Sequence, residues 1–324
     1  MIKINKDRIE INGYSITNTA NGVEINGNFE YGGDIPPPPP PMAGTVSGYT
    51  SGGTEPGAVN TIDKFPFATD ANAIDVGDLT VGRYGAAGQS SIENGYNSGG
   101  NPATNTIDKF PFATDANATD VGDLTQARRL AAGQSSSENG YTSGGYGPPK
   151  NTIDKFPFAT DTNATDVGDL TIARRDATGQ SSQENGYSSS GQLVSEIVNT
   201  IDKFPFAADA NATDVGDLTQ ARYGPAGQSS SENGYSSGGF APPSVNTIDK
   251  FPFATDANAT DVGDLTQARR FVAGQSSSEN GYASGGFAPG SVNTIDKFPF
   301  ATDTNATDVG DLTQARYYVA GQQD

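Results

Sequence analysis

The sequence predicts an all-β protein, a six-bladed β-propeller with 3+1 strand closure, on three observations. The string Asn-Thr-Ile-Asp-Lys-Phe-Pro-Phe begins at Asn60, Asn105, Asn151, Asn199, Asn246 and Asn293, at intervals of 45, 46, 48, 47 and 47 residues. That period suits a four-stranded blade. Each copy also carries several Gly, a Pro and clusters of Ser, Asn and Asp, which punctuate strands and break helices. Finally, the last copy of the small apolar strand stands at Tyr318–Gln322, free to complete a blade begun near Gly48.

The second copy parses into four short strands. Leu130–Ser135 is small and apolar, as an innermost strand near a crowded axis should be. Ser136–Asn139 makes a polar turn, and Gly140–Gly145 is the second strand, ending in a glycine pair. Asn151–Phe158 is the third strand, and it should end or bulge at Pro157, which has no N–H for a ladder. Asp161–Asn163 turns the chain into an outer strand at Ala164–Leu170, and Thr171–Arg174 leads back to the axis. The second, third and fourth strands each occur six times from Gly48–Gly53 onward, and the inner strand six times ending at the C-terminus. Blade 1 therefore takes three strands from the start of the domain and one from its end, leaving only short, protected edges.

The order arginine, small apolar strand, Gly-Tyr-x-Ser-Gly-Gly, Ile-Asp-Lys-Phe and turn resembles the kelch motif over residues 47–324. Two departures stand out: Asp-Val-Gly-Asp-Leu occupies the region of the family's tryptophan, and one glycine pair is broken as Ser190-Gly191. The near-verbatim Asn-Thr-Ile-Asp-Lys-Phe-Pro-Phe-Ala-Thr-Asp and Gly-Asp-Leu-Thr-Gln-Ala-Arg segments are also similar to repeats in structural proteins of tailed phages, marine cyanobacterial ones especially. That resemblance implies a virion location and synthesis in the host cytoplasm, with no signal peptide expected.

Residues 1–35 differ in kind. Ile9-Glu-Ile11, Tyr14-Ser-Ile16, Val23-Glu-Ile25 and Phe29-Glu-Tyr31 alternate with period two around Asn-Gly pairs at 12–13, 21–22 and 26–27, a pattern of tiny strands and tight turns. So short a segment buries too little to fold alone. We expect an anchor that meets other virion proteins and assembles as a homotrimer. Residues 36–46 form a linker, whose tract Pro36–Pro41 reads as a polyproline II spacer of roughly 19 Å at about 3.1 Å per residue.

Composition narrows the chemistry. The chain has no His, Cys or Trp, which removes imidazole bases, thiol nucleophiles, disulfides and zinc–thiolate sites. Nineteen Lys and Arg against 38 Asp and Glu leave a formal charge of −19, a field that opposes nucleic acid and anionic membranes. No apolar run approaches a membrane span. Asp115, Asn117 and Asp120, repeated around the ring, offer oxygens of the kind calcium takes. They lack the EF-hand glycine and bidentate glutamate, and read as turn residues. Nearly every Asp recurs six times, whereas a catalytic carboxylate pair should break the symmetry. No enzyme, no cofactor and no resident metal are expected. The arginines Arg83, Arg128, Arg174, Arg222, Arg269 and Arg316 are expected to hold blades together, and Tyr49, Tyr96, Tyr141, Tyr187, Tyr235 and Tyr282 to pack in the core, each hydroxyl finding a partner.

One face of the ring varies among the six copies and the other does not. The turns Ser-Ser-x-Glu-Asn-Gly and Ala-Thr-Asp-x-Asn-Ala-Thr barely change. The segments after the glycine pairs differ in length and chemistry and include Tyr146, Phe240 and Phe287. The positions after the shared arginine carry Tyr84, Arg129, Leu130, Arg175, Asp176, Tyr223, Arg270, Phe271, Tyr317 and Tyr318. Loops on a rigid scaffold are free to vary and carry function, and Tyr, Phe and Arg are enriched where proteins bind partners. These thirteen residues are the candidate binding face. The expected function is a virion structural or adhesion protein that recognises a host-surface glycan or protein, or a virion component. The alternative is a free, lectin-like carbohydrate-binding propeller.

Overall fold

The computed structural model describes four strands within residues 2–26 and all residues from 44 to 324. The chain divides into two compact units, Met1–Pro40 and Pro41–Asp324. In the first unit, Ile2–Asn5, Arg8–Ile11, Tyr14–Thr19 and Gly22–Asn26 pair consecutively as an antiparallel meander. Three of these are the expected alternating segments, and the strand at Ile2–Asn5 adds to them. Phe29–Tyr31 and the proline tract Pro36–Pro41 lie outside the described residues.

The second unit is a six-bladed β-propeller, each blade a four-stranded antiparallel sheet. Blade 3 consists of Ala132–Ser135, Asn139–Ser143, Thr152–Pro157 and Thr165–Asp169 from axis to rim. The inner strand is shorter than the sequence suggests, because Leu130 takes φ 58° and leaves the strand conformation. The second strand stops at Ser143 because Gly144 and Gly145 have φ of 67° and 110°, values open to glycine and costly for other residues. The third strand ends at Pro157 as expected, and a bulge also interrupts its pairing with the outer strand between Ile153 and Asp154.

Closure follows the 3+1 scheme: Ala320–Gln323 pairs with Ser47–Ser51, then Thr61–Pro66, then Ile74–Asp78. Asp324 fastens the seam. Its carboxylate accepts the Ser47 and Val46 amides at 2.5 and 3.2 Å, and its own amide donates to the Ser47 carbonyl at 3.2 Å.

The core lies between blades. Tyr49, Ile62 and Leu79 of blade 1 pack against Phe110, Phe112 and Ala118 of blade 2, and equivalent clusters recur around the ring. Phe112 stacks on Tyr49 at 4.8 Å, and Phe110 meets it tilted at 5.7 Å. The Phe-Pro-Phe of each third strand thus reaches back to the blade before it. Fully burying one such ring contributes roughly 1.5–3 kcal/mol. The glycine of each Asn-Gly-Tyr lies under a phenylalanine of its own blade: a β-carbon on Gly140 would stand 2.3 Å from the Phe156 ring.

Polar rings lock the same interfaces. Arg174, Arg222, Arg269 and Arg316, fully buried, meet Asp202, Asp249, Asp296 and Asp63 at 2.9–3.3 Å, and Arg83 and Arg128 pair likewise with Asp108 and Asp154. Each aspartate also accepts a threonine from the preceding blade, as Asp249 accepts the Thr219 amide at 2.9 Å and its hydroxyl at 2.7 Å. Burial pushes Arg174, Arg222, Arg269 and Arg316 below their usual range and Asp63 above its own, while the opposite charge of each partner opposes the shift. The Asn of each Asp-x-Asn turn is used similarly, with Asn117 Oδ1 accepting the Asp78 amide of the neighbouring blade at 3.0 Å. The core tyrosines depart from expectation in one respect. Tyr187 and Tyr49 reach backbone carbonyls at 3.5 Å, but the Tyr96, Tyr141, Tyr235 and Tyr282 hydroxyls have no hydrogen-bond partner among the described residues.

Candidate functional site

The link from each outer strand to the next inner strand runs past the shared arginine and bends at the second residue beyond it. Those six residues are Gly85, Leu130, Asp176, Gly224, Phe271 and Tyr318, all with φ between 55° and 66°. Their backbones form a closed ring about the axis. Gly85 donates to Tyr318, Leu130 to Gly85, Asp176 to Leu130, Gly224 to Asp176, Phe271 to Gly224 and Tyr318 to Phe271, at 2.5–3.0 Å. The left-handed conformation costs a non-glycine residue roughly 1–2 kcal/mol. The ring holds four such residues in it, and backbone strain of this kind collects at functional sites.

The residue immediately after each arginine pairs in a small antiparallel bridge with the residue after a glycine pair, or after Ser190-Gly191 in its place: Tyr84 with Asn101, Arg129 with Tyr146, Arg175 with Gln192, Tyr223 with Phe240, Arg270 with Phe287 and Tyr317 with Thr54. All thirteen candidate residues therefore gather around one mouth of the propeller. Eleven are half-buried, while Leu130 and Asp176 are 8% and 6% exposed. These two are not displayed outward as expected. They turn in toward the axis because they belong to the hydrogen-bonded ring.

Side chains join into two arcs. In the first, Phe271 lies face to face with Tyr318 at 3.8 Å, Tyr318 reaches Tyr84 at 5.7 Å, and Tyr223 meets both Phe240 and Phe271. Tyr317 packs edge-on against Phe287 at 5.2 Å, and the Arg270 guanidinium lies 4.5 Å and 5.0 Å from the Phe240 and Phe287 ring centres. The second arc is cationic: Arg129 and Arg175 lie 5.3 and 4.7 Å from the same Tyr146 ring, an arrangement favoured by the ring quadrupole. Arg129 also donates to the Asn101 side chain.

Within the mouth lies a cavity of about 70 Å³, lined by the ring residues and by those that follow them, such as Ala177, Pro225 and Val319. Asp176 is its one carboxylate. No hydrogen bond reaches that carboxylate from the described residues, and its nearest cation is Arg175 Nε at 3.9 Å. Burial pushes Asp176 up from 3.8 to about 7, partly opposed by the charges of Arg175 and Arg129. Burial also raises the Tyr318 phenol, with the Asp176 charge adding to it, so that phenol stays a hydrogen-bond donor.

Sequence reasoning missed Gly85 and Gly224, the silent members of the ring, and left the bridge partners Thr54, Asn101 and Gln192 out of the candidate residues although they open the variable segments. The signal was present: counting two residues from every shared arginine puts both glycines in the register of Asp176 and Phe271. Among the described residues no group of three or more acidic side chains is placed to hold a metal ion.

Fold and mouth together define a six-bladed β-propeller repeat protein with one symmetric and one diversified face. No family model matches this chain, and no curated protein is significantly similar to it.

Proposed function

We propose that the chain is a non-enzymatic structural and attachment protein of a tailed-phage virion, held through residues 1–35 and presenting the diversified mouth of a kelch-like propeller to a host surface or virion component. The virion assignment rests on the resemblance of the repeated segments. The attachment reading rests on one observation: the copies differ on a single face, where aromatic and guanidinium side chains touch in continuous arcs. The ring's own first described residue is fastened on the other face, with the Gly44 amide donating to the Ser276 carbonyl at 2.8 Å, so the mouth is left clear of that segment.

Two measurements test this. Purified particles should contain the protein by mass spectrometry, whereas a free lectin would be absent from them. Phe287→Ala with Tyr317→Ala should weaken adsorption of the protein to its natural surface, and Asn139→Ala on the opposite face should not. Equal loss from both variants would reject the assignment of faces.

A further inference from the structure

Asp176 is the one charged residue in the ring at the mouth of the channel, and it breaks a symmetry that nearly every other carboxylate obeys. It is more than nine-tenths buried, adopts a strained φ of 55° and opens into a cavity without a hydrogen-bond donor from the described residues. Burying a charge unsatisfied is costly, and the equivalent positions Gly85 and Gly224 show that the ring closes without any side chain there. Nothing in the fold requires this carboxylate.

We propose that the mouth is a saccharide subsite, in which Asp176 accepts hydrogen bonds from hydroxyls on the edge of one sugar ring while Phe271, Tyr318 and Leu130 contact its apolar face. The proposal rests on reading this face as the binding face and names the ligand class it takes.

The occupant must bring donors, because the described residues supply none to Asp176. A cationic donor fits poorly, since Arg175 Nε already stands 3.9 Å away and the charge of Arg129 also acts on the carboxylate. Two guanidiniums beside one carboxylate leave the surroundings positive. A neutral ligand with adjacent O–H donors meets the requirement, and a pyranose offers these on its edge and C–H groups on its faces. The other walls suit those faces: the Phe271–Tyr318 stack, Leu130, and the small residues Ala131 and Ala177. The cavity holds more than a single water and suits the edge of one ring, with further sugars extending over the aromatic arc.

Calorimetric titration of the full chain with neutral monosaccharides (glucose, galactose, mannose and N-acetylglucosamine) tests the proposal, with methylammonium chloride as the cationic probe. At least one sugar should bind in the millimolar range. Asp176→Asn should weaken it about ten- to a hundredfold, the usual cost of losing a charged acceptor. Asp176→Gly, which reproduces Gly85 and Gly224 and so preserves the ring, should abolish it. Binding of no sugar, binding unchanged in both variants, or methylammonium binding that alone depends on Asp176 would each overturn the subsite. Surface adsorption separates this from the broader reading. If no sugar binds but Phe287→Ala with Tyr317→Ala still weakens adsorption, the subsite fails and the attachment face stands. If sugar binds through Asp176 yet neither free sugar nor Phe287→Ala with Tyr317→Ala affects adsorption, the subsite stands and the attachment face fails.

Discussion

Phe271 lies over Gly224, with its Cδ1 2.6 Å from where a β-carbon on that glycine would stand. Leu130 covers Gly85 in the same way, its Cδ2 2.6 Å from the corresponding point. The large side chains of the mouth thus lean toward the preceding blade, and the two glycines are the floor on which they rest. Gly224→Ala should cost about 1–2 kcal/mol for its φ of 66° and displace Phe271 from Tyr318. Thermal melting would read the first effect, and loss of the ring contact by NMR the second.

The broken glycine pair makes a prediction of opposite sign. Ser190 has φ 64°, is fully buried, and its hydroxyl has no hydrogen-bond partner among the described residues. Ser190→Gly restores the residue found at Gly144 and Gly238, and should stabilise the fold by roughly 1 kcal/mol. A rise of about 2 °C or more in Tm is expected; a lower Tm would show that the Ser190 side chain is compensated by its packing.

Asp176 makes stability depend on pH. Its carboxyl is raised from 3.8 to about 7 in the folded chain. Below about pH 4 it is protonated in both states and the penalty is absent. Between about pH 4 and 7 the unfolded chain releases the proton first, so stability falls as pH rises. Above about pH 7 the full penalty applies, on the order of 4 kcal/mol. Asp176→Asn should therefore match the parent near pH 4 and exceed it in denaturant stability by pH 8. A constant gap across that range would contradict the burial of the charge.

The buried ion pairs are vulnerable one partner at a time. Arg222→Met leaves Asp249 buried and uncompensated, with an expected loss of about 3–5 kcal/mol. Adding Asp249→Leu should recover only part of this in urea unfolding, because the Thr219 amide and hydroxyl then lose their acceptor.

Removing Ala320–Asp324 takes away the inner strand of blade 1 and the seam contacts of Asp324 with Ser47. Scanning calorimetry should show a fall in Tm of ~10 °C or more, the equivalent of several kcal/mol. An unchanged transition would mean that the ring does not depend on this closure.

The repeat alone determined the architecture of this protein. A 45–48-residue period with Gly-Gly, Asn-Gly and Phe-Pro-Phe at constant offsets specifies blade number, strand order and closure, because each device acts locally and is repeated six times. The unequal variation of the turns likewise marked the diversified face, since turns one-to-two and three-to-four must share the other one. Tertiary structure decided what the sequence left undivided. Linear order presents Asp176 as a loop residue like Tyr84 and Arg129, and Leu130 as the start of an inner strand, yet a left-handed turn two residues past each arginine draws both into a hydrogen-bonded ring and buries them. The pairing of Arg222 with Asp249, 27 positions along the chain, and of Arg316 with Asp63 across the seam, arises only when blades meet. Burial and unmet hydrogen bonding are properties of neighbours in space. For that reason the period exposes the scaffold, while the isolated carboxylate at its mouth emerges only when the ring is closed.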